Sequence, residues 1–499
     1  MTQMTGFDKK PSLLREIGLT GLVATGVCSM MGASINVVPI MIQRSVPGIG
    51  PSVVEAYLFS IVPAGFAALA YAILSSSMPR AGGSYVYASR ALNPYLGFVA
   101  SFSQWFGLSI AIGVISYLIV PFFRDVFLVL GWAQTAGAID SGPIRLLLSL
   151  GILWLFVALS LKGVRIYEKT LVPLMLIMFV LGSVVIVSGF LFSQEDFASA
   201  VLKATGEVMV DPVASPLRAS DYLAASAILF TSFIGFDSIA QAGGEARNPA
   251  KNLPLAIGLA VLIVGIFDML FTAAIYHAVP WYYIAEKAQS QDLTAPGLLA
   301  YLLPDSLTVA IILGAAIALL NDLPAMLLSV SRLMFSWAKD GIVPSGIAKI
   351  DERSRTPRTA IVLSGCMASV GIVGSHLASD FFLGIDILVT SMLVNFMFMC
   401  LAVWVLPMRN RDIADKVIIL SSWKVRKATA LIGMVLLVIF LSVHVWKDLT
   451  SELAAWYFHS TFVWLLVMGL ASLIYLFEVN HLEKKGVDIN KITSKLPAE

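Results

Sequence analysis

Four carboxylates fall where water is scarce: Asp237, Asp268, Asp322 and Asp386 all lie inside long apolar runs, the middle two near mid-run. An acid at membrane depth costs about 2.5–3.5 kcal/mol on insertion scales, and such a residue marks a functional site by default. No Lys or Arg sits at comparable depth, so each acid must hold a proton or a bound cation. Location ranks them. Asp237 directly follows a glycine-containing stretch. Asp322 stands in Leu320-Asn321-Asp322-Leu323-Pro324, where the proline frees an upstream carbonyl. Asp268 is expected to be a buried acid, protonated or bonded to a Ser or Thr. Asp386 is left open between a structural and a functional role. Replacing Asp237 by Asn should abolish gradient-driven accumulation of a solute and leave counterflow partly intact. The five histidines lie near run ends, which argues against a histidine relay. Cys28, Cys366 and Cys400 sit in apolar stretches without metal or disulfide spacing. No metal, cofactor or catalytic cluster is implied.

Two stretches of weak helix accompany these acids. The first is Thr25-Gly26-Val27-Cys28-Ser29-Met30-Met31-Gly32-Ala33-Ser34-Ile35-Asn36, followed by Pro39. The second is Thr231-Ser232-Phe233-Ile234-Gly235-Phe236-Asp237-Ser238. Glycine weakens a helix by about 1 kcal/mol relative to alanine, and Ser and Asn compete for their own backbone. Broken helix in lipid persists only where it lines a cavity. There, half-helix ends offer N–H groups to an anion and carbonyls to a cation or ammonium.

The elements that must position these residues follow from composition. Of 499 residues, 58% are hydrophobic and 13% charged, against about 25% charged in a soluble domain. Apolar runs of about 20 residues, enough to cross a ~30 Å hydrocarbon core, recur near 17–44, 52–77, 95–123, 144–161, 169–192, 221–244, 253–278, 307–337, 359–378, 381–406, 428–446 and 455–478. The fold class is therefore an all-α polytopic membrane protein of about twelve spans. The first run is too long for a secretory signal and reads as a retained span. With the N-terminus inside, 25 of the 33 Lys and Arg collect on the inner side and seven outside, Arg332 lying within a span. That asymmetry places both termini in the cytoplasm. The net charge of +2 reflects no patch that could track nucleic acid.

Four blocks resemble the amino acid–polyamine–organocation transporters. They are Gly26-Val27-Cys28-Ser29-Met30-Met31-Gly32-Ala33-Ser34-Ile35; Pro79-Arg80-Ala81-Gly82-Gly83-Ser84-Tyr85-Val86-Tyr87 with Arg90-Ala91-Leu92-Asn93-Pro94-Tyr95-Leu96-Gly97-Phe98; Phe233-Ile234-Gly235-Phe236-Asp237 with Gly244-Glu245-Ala246-Arg247-Asn248-Pro249; and Ser331-Arg332 with Ala338-Lys339-Asp340-Gly341 and Thr356-Pro357. The resemblance implies a leucine-transporter-type fold. Two inverted five-span repeats, 17–192 and 221–406, flank an extracellular loop at 193–220. Peripheral spans follow at 407–478, with cytoplasmic segments at 1–16 and 479–499. It also implies a substrate site on Ser29, Met31, Gly32, Ala33, Ser34, Asn36, Thr231, Phe233, Ile234, Gly235 and Phe236. Asp237, Asp322 and Asn321 are the proton or cation coupling candidates. The chain departs from the pattern at Cys28 and Ser34, which replace glycines, at Asn36, and at Met178, where some proton-coupled members carry lysine.

The expected function is a secondary transporter of amino acids in the cell membrane, working by alternating access, with proton coupling suggested by the acids. A polyamine or organic-amine carrier is the first alternative, motivated by Ser34, and an uncoupled exchanger the second, motivated by Met178. A nutrient sensor derived from the same fold is the reading from a different class. An enzyme is not expected.

Overall fold

A computed structural model describes residues 13–210, 217–378, 382–452 and 455–497, except for the side chains of 33, 34, 164–166 and 168. Among the described residues the chain is helical, with two isolated β-bridges and no strand. Eleven helices are long and apolar enough to cross a membrane, and a shorter apolar one, Leu19–Met30, precedes them. That shorter helix is the first half of a broken span, which brings the crossings to the expected twelve.

Span one consists of Leu19–Met30, a short Ala33–Asn36 turn and Val38–Ser45. Met31 and Gly32 leave the helix, and Val37 (φ −126°, ψ −52°) interrupts it again before Pro39. Span six runs helical over Ala219–Leu229 and tightens to a 3-10 turn over Phe230–Phe233. It breaks at Ile234 and Gly235 and resumes for only Asp237–Gln241. The remaining spans are Val53–Ser77, Pro94–Val129, Gly142–Ser160, Val164–Leu191, Pro249–Ala278, Asp305–Lys339, Arg358–Ala378, Phe382–Arg409, Trp423–Thr450 and Ser460–Lys484, here called two, three, four, five, seven, eight, nine, ten, eleven and twelve.

Several motif residues act on local structure. Asn93 caps span three, its side chain accepting from Leu96 N at 2.8 Å, and Pro94 occupies the first turn, where its missing N–H costs nothing. Pro249 likewise occupies the first turn of span seven, after Asn248 at φ +44°, which makes no side-chain cap bond. Pro324 lies inside span eight, two residues after Asp322.

Packing divides the core into two groups. Span seven packs on spans one and two, and span six on span two; span three packs on spans eight and nine, and span four on span nine. Span five bridges the groups through spans seven and eight. Span ten lies against span three and span eleven.

Candidate functional site

The two breaks meet. Gly235 adopts φ +143°, a conformation that side chains rarely take. A Cβ there would collide with the backbone carbonyl of Ser29 in span one. Gly32, in the other break, lies directly under the carboxylate of Asp322, which a Cβ at that position would overlap. Thus each break owes a glycine to close approach by a partner span.

Between them is a cavity of about 50 Å³. Ser29, Met30 and Val38 of span one, Thr231 and Ile234 of span six, and Asp322 and Met326 of span eight line it. Apolar residues of span three (Ala111, Val114, Ile115, Leu118) and span ten (Gly384, Ile385, Leu388) complete the wall. The Ser29 hydroxyl is buried and makes no hydrogen bond among the described residues. The Thr231 hydroxyl donates to Ile228 O at 2.7 Å. A carboxylate, an unsatisfied hydroxyl and two broken backbones around an apolar slot suit an ammonium-bearing solute with a small side chain. The volume is that of a few waters, so a whole amino acid requires the walls to part.

Of the expected site residues, Ser29, Thr231, Ile234 and Asp322 reach this cavity. Met31 and Asn36 instead face a gap of about 20 Å³ against spans five, seven and eight, where Met178 also lies. Asn36 Nδ2 donates back to Gly32 O at 3.2 Å and closes the break. Phe233 packs on Tyr57 with ring centroids 5.5 Å apart, and Phe236 stacks on Phe396 at 5.0 Å. These rings hold the broken segment against spans two and ten. The side chains of Ala33 and Ser34 lie outside the described residues. Asn321 ties span eight to its neighbours, Nδ2 lying 2.9 Å from Cys28 Sγ and 3.4 Å from Leu171 O.

Asp237 is buried but does not line the cavity. Its Oδ1 accepts the Gly235 N–H at 3.0 Å and its Oδ2 accepts from Gln104 Nε2. Gln104 Oε1 in turn accepts from Ser84 Oγ and, at 3.1 Å, from Gln241 Nε2. Asp237 therefore anchors the break of span six to span three and to the Gly83–Ala91 helix that follows span two. Asp268 accepts from Tyr57 OH at 2.8 Å, a tyrosine where a Ser or Thr was expected. Asp386 sits at a rim, with His444 Nε2 4.0 Å from its Oδ1. The intramembrane amides Gln104, Gln241 and Asn395 were legible signals of this polar network. The apolar wall from spans three and ten carried none.

Both ends of the bundle are shut. At the end rich in Lys and Arg, Ile17 N donates to Glu245 O and Arg247 N to Ile17 O, each at 2.9 Å, joining the start of span one to the segment after span six. The Pro79-Arg80-Ala81-Gly82-Gly83 block forms a bridge with Ala242 and packs Arg80 O on Gly243. Arg332 makes a bidentate ion pair with Glu245, both buried. Arg90 does the same with Asp340 at 2.6 and 3.1 Å, and Tyr85 OH adds a bond at 2.7 Å. At the opposite end Arg44 of span one binds Asp292 at 3.1 Å and Gln291 O at 3.0 Å. Arg124 binds Asp140 at 3.0 Å, and Arg145 lies 3.2 Å from Asp140.

A polytopic helical membrane protein with two facing broken spans around an occluded slot belongs to the transporters. The chain is a member of the amino acid permease family, whose sequence profile matches residues 17–477. It is 26% identical to the vacuolar cationic amino acid transporter 4 of Arabidopsis thaliana, over 72% of this chain and 59% of that protein. It is 27% identical to the low-affinity putrescine importer PlaP of Escherichia coli K12 (72% and 75%) and 25% identical to the branched-chain amino acid permease BcaP of Bacillus subtilis (74% and 76%). The match thus spans under two thirds of the plant relative's length.

Proposed function

We propose that this permease carries an amino acid across a cell membrane by alternating access, with the basic loops on the cytoplasmic side. The cavity between the breaks carries this reading. Asp322 against Gly32, beside the unbonded Ser29 hydroxyl, supplies a carboxylate for the solute's ammonium or for a coupled proton. Because both oxygens of Asp237 are engaged by Gly235 and Gln104, the coupling role passes to Asp322, with Asn321 fixing the local position of span eight. Spans one, two, six and seven move against the others, releasing one sealed end at a time. The organic-amine alternative is supported by Asp322 in the lining and by likeness to a putrescine importer. An uncoupled exchanger is supported by apolar Met178 beside the break.

Uptake into proteoliposomes from a panel of amino acids, polyamines and monoamines, with and without a pH gradient, separates these. Asp322→Asn is expected to abolish gradient-driven accumulation of an amino acid while counterflow persists. Loss of both with a diamine, and no flux of any amino acid, would establish the amine carrier instead. No flux of any solute sinks the transporter reading.

A further inference from the structure

Spans four and five are joined by the three residues 161–163, yet they part beyond that turn. Span four packs on spans three and nine, and span five on spans seven and eight. A cavity of about 250 Å³ lies between them. Its apolar walls are Phe156 and Leu159 of span four, Leu174 of span five, and Pro324, Leu327 and Leu328 of span eight. Leu159 and Thr170, at its edge, are exposed. The cavity is therefore a cleft open sideways to the bilayer, with span eight as its floor.

The polar side chains of the lining are already engaged. Ser160 Oγ donates to Phe156 O at 2.8 Å and Ser331 Oγ to Leu328 O at 2.9 Å. Tyr167 OH donates to Thr25 Oγ1 at 2.9 Å, Asn321 is held by Cys28 and Leu171, and Arg332 by Glu245. What remains for an occupant is apolar surface. Along span eight the lining runs from Asn321 to Arg332, eleven residues or about 17 Å of helix. That is about half of a ~30 Å hydrocarbon core, the depth of one leaflet and so the reach of one lipid chain.

The mouth of the cleft lies at the end rich in Lys and Arg. Gly163 and Thr356 line it. A Cβ on Gly163, at φ +107°, would collide with Ser354 O, so the loops before spans five and nine touch there. Residues 161–170 and 351–358 carry Lys162, Arg165, Lys169, Arg353, Arg355 and Arg358 against Glu168, Asp351 and Glu352, six basic and three acidic groups. Asp351 is spent on Ser354, accepting from its N at 2.9 Å and its Oγ at 3.0 Å. Lys162 and Arg353 are exposed, and among the described residues neither they nor Arg355 makes an ion pair. A leaflet-deep apolar cleft under a cationic mouth is complementary to an anionic amphiphile.

We propose that this cleft seats an anionic phospholipid of the leaflet at the basic end. One acyl chain lies between spans four, five and eight, and the phosphate lies between Lys162 and Arg355. The site is separate from the central slot and needs no solute. Its occupant braces span eight beside Arg332, whose pair with Glu245 fastens the basic end.

The test is photolabelling of the full chain in phosphatidylcholine vesicles that contain a minor fraction of phosphatidylglycerol with a diazirine at the end of one chain. Labelled peptides are expected from spans five and eight, around Leu174 and Leu327. A phosphatidylcholine carrying the same diazirine should label them far less. Lys162→Gln and Arg355→Gln should each lower this labelling about fivefold at low salt. Ser160→Trp, which fills the cleft from its bilayer side, should abolish it while bulk lipid still labels the other spans. Lys162 is exposed, so its variant decides the matter even where Ser160→Trp fails to fold. Equal labelling by the two lipids, labelling unchanged in the variants, or label spread alike over every lipid-facing span would each overturn the site. None of these outcomes depends on which solute is carried, so the transport reading stands or falls apart from them.

Discussion

At the scale of single residues, the firmest contact is the Asp322 carboxylate resting on Gly32. Any side chain at 32 must push span eight away from span one, a kind of overpacking that costs about 1–3 kcal/mol. Gly32→Ala should therefore insert and fold, melt at a lower temperature, and lose most transport; a thermal-shift assay beside initial uptake rates checks both. The weak stretch around Gly32 was legible from glycine and serine density, and Asp322 from its depth. That the two touch was not, because the 289 residues between them in the chain place them and neither type selects the other. Asp237 shows the converse. Its position after the break marks it in the sequence, while the partners of its oxygens, Gly235 and Gln104, are ones that the carboxylate alone does not announce.

At the scale of elements, the motif blocks turn out to be the fastenings of one end. Arg90 and Asp340 come from different blocks, as do Glu245 and Arg332, and each pair closes on a bidentate contact. Removing one partner of a buried pair costs about 3–5 kcal/mol, since the other charge is stranded. Glu245→Ala should thus destabilise strongly and raise thiol-reagent access to cysteines placed in the basic loops. Arg332→Met with Glu245→Leu should recover the melting temperature but not the closed end. Equal accessibility in wild type and double variant would show that the pair does not fasten that end. The sequence marked these residues as a set; only the packing of spans six and eight pairs them.

At the scale of the whole molecule, hydropathy sufficed for twelve crossings, and the broken first span explains why eleven helices alone meet a length criterion. The central slot was only half legible. Its polar side, Ser29, Thr231 and Asp322, carries chemical signals, whereas Val114, Ile115, Gly384 and Leu388 are apolar residues among many. With both ends fastened and about 50 Å³ between the breaks, the slot is closed on both sides, and the proposed alternating access requires the ends to unfasten in turn. The claim that the solute rests between spans one and six is tested most directly at Ser29. In proteoliposomes, Ser29→Cys made in a Cys366→Ala background, which removes the exposed cysteine and leaves Cys28 and Cys400 buried, should transport and be blocked by a small methanethiosulfonate reagent to which the background protein is insensitive. Saturating amino acid should slow that block. A Ser29→Cys protein that keeps transporting in the reagent, or is blocked at the same rate with and without solute, would contradict the account.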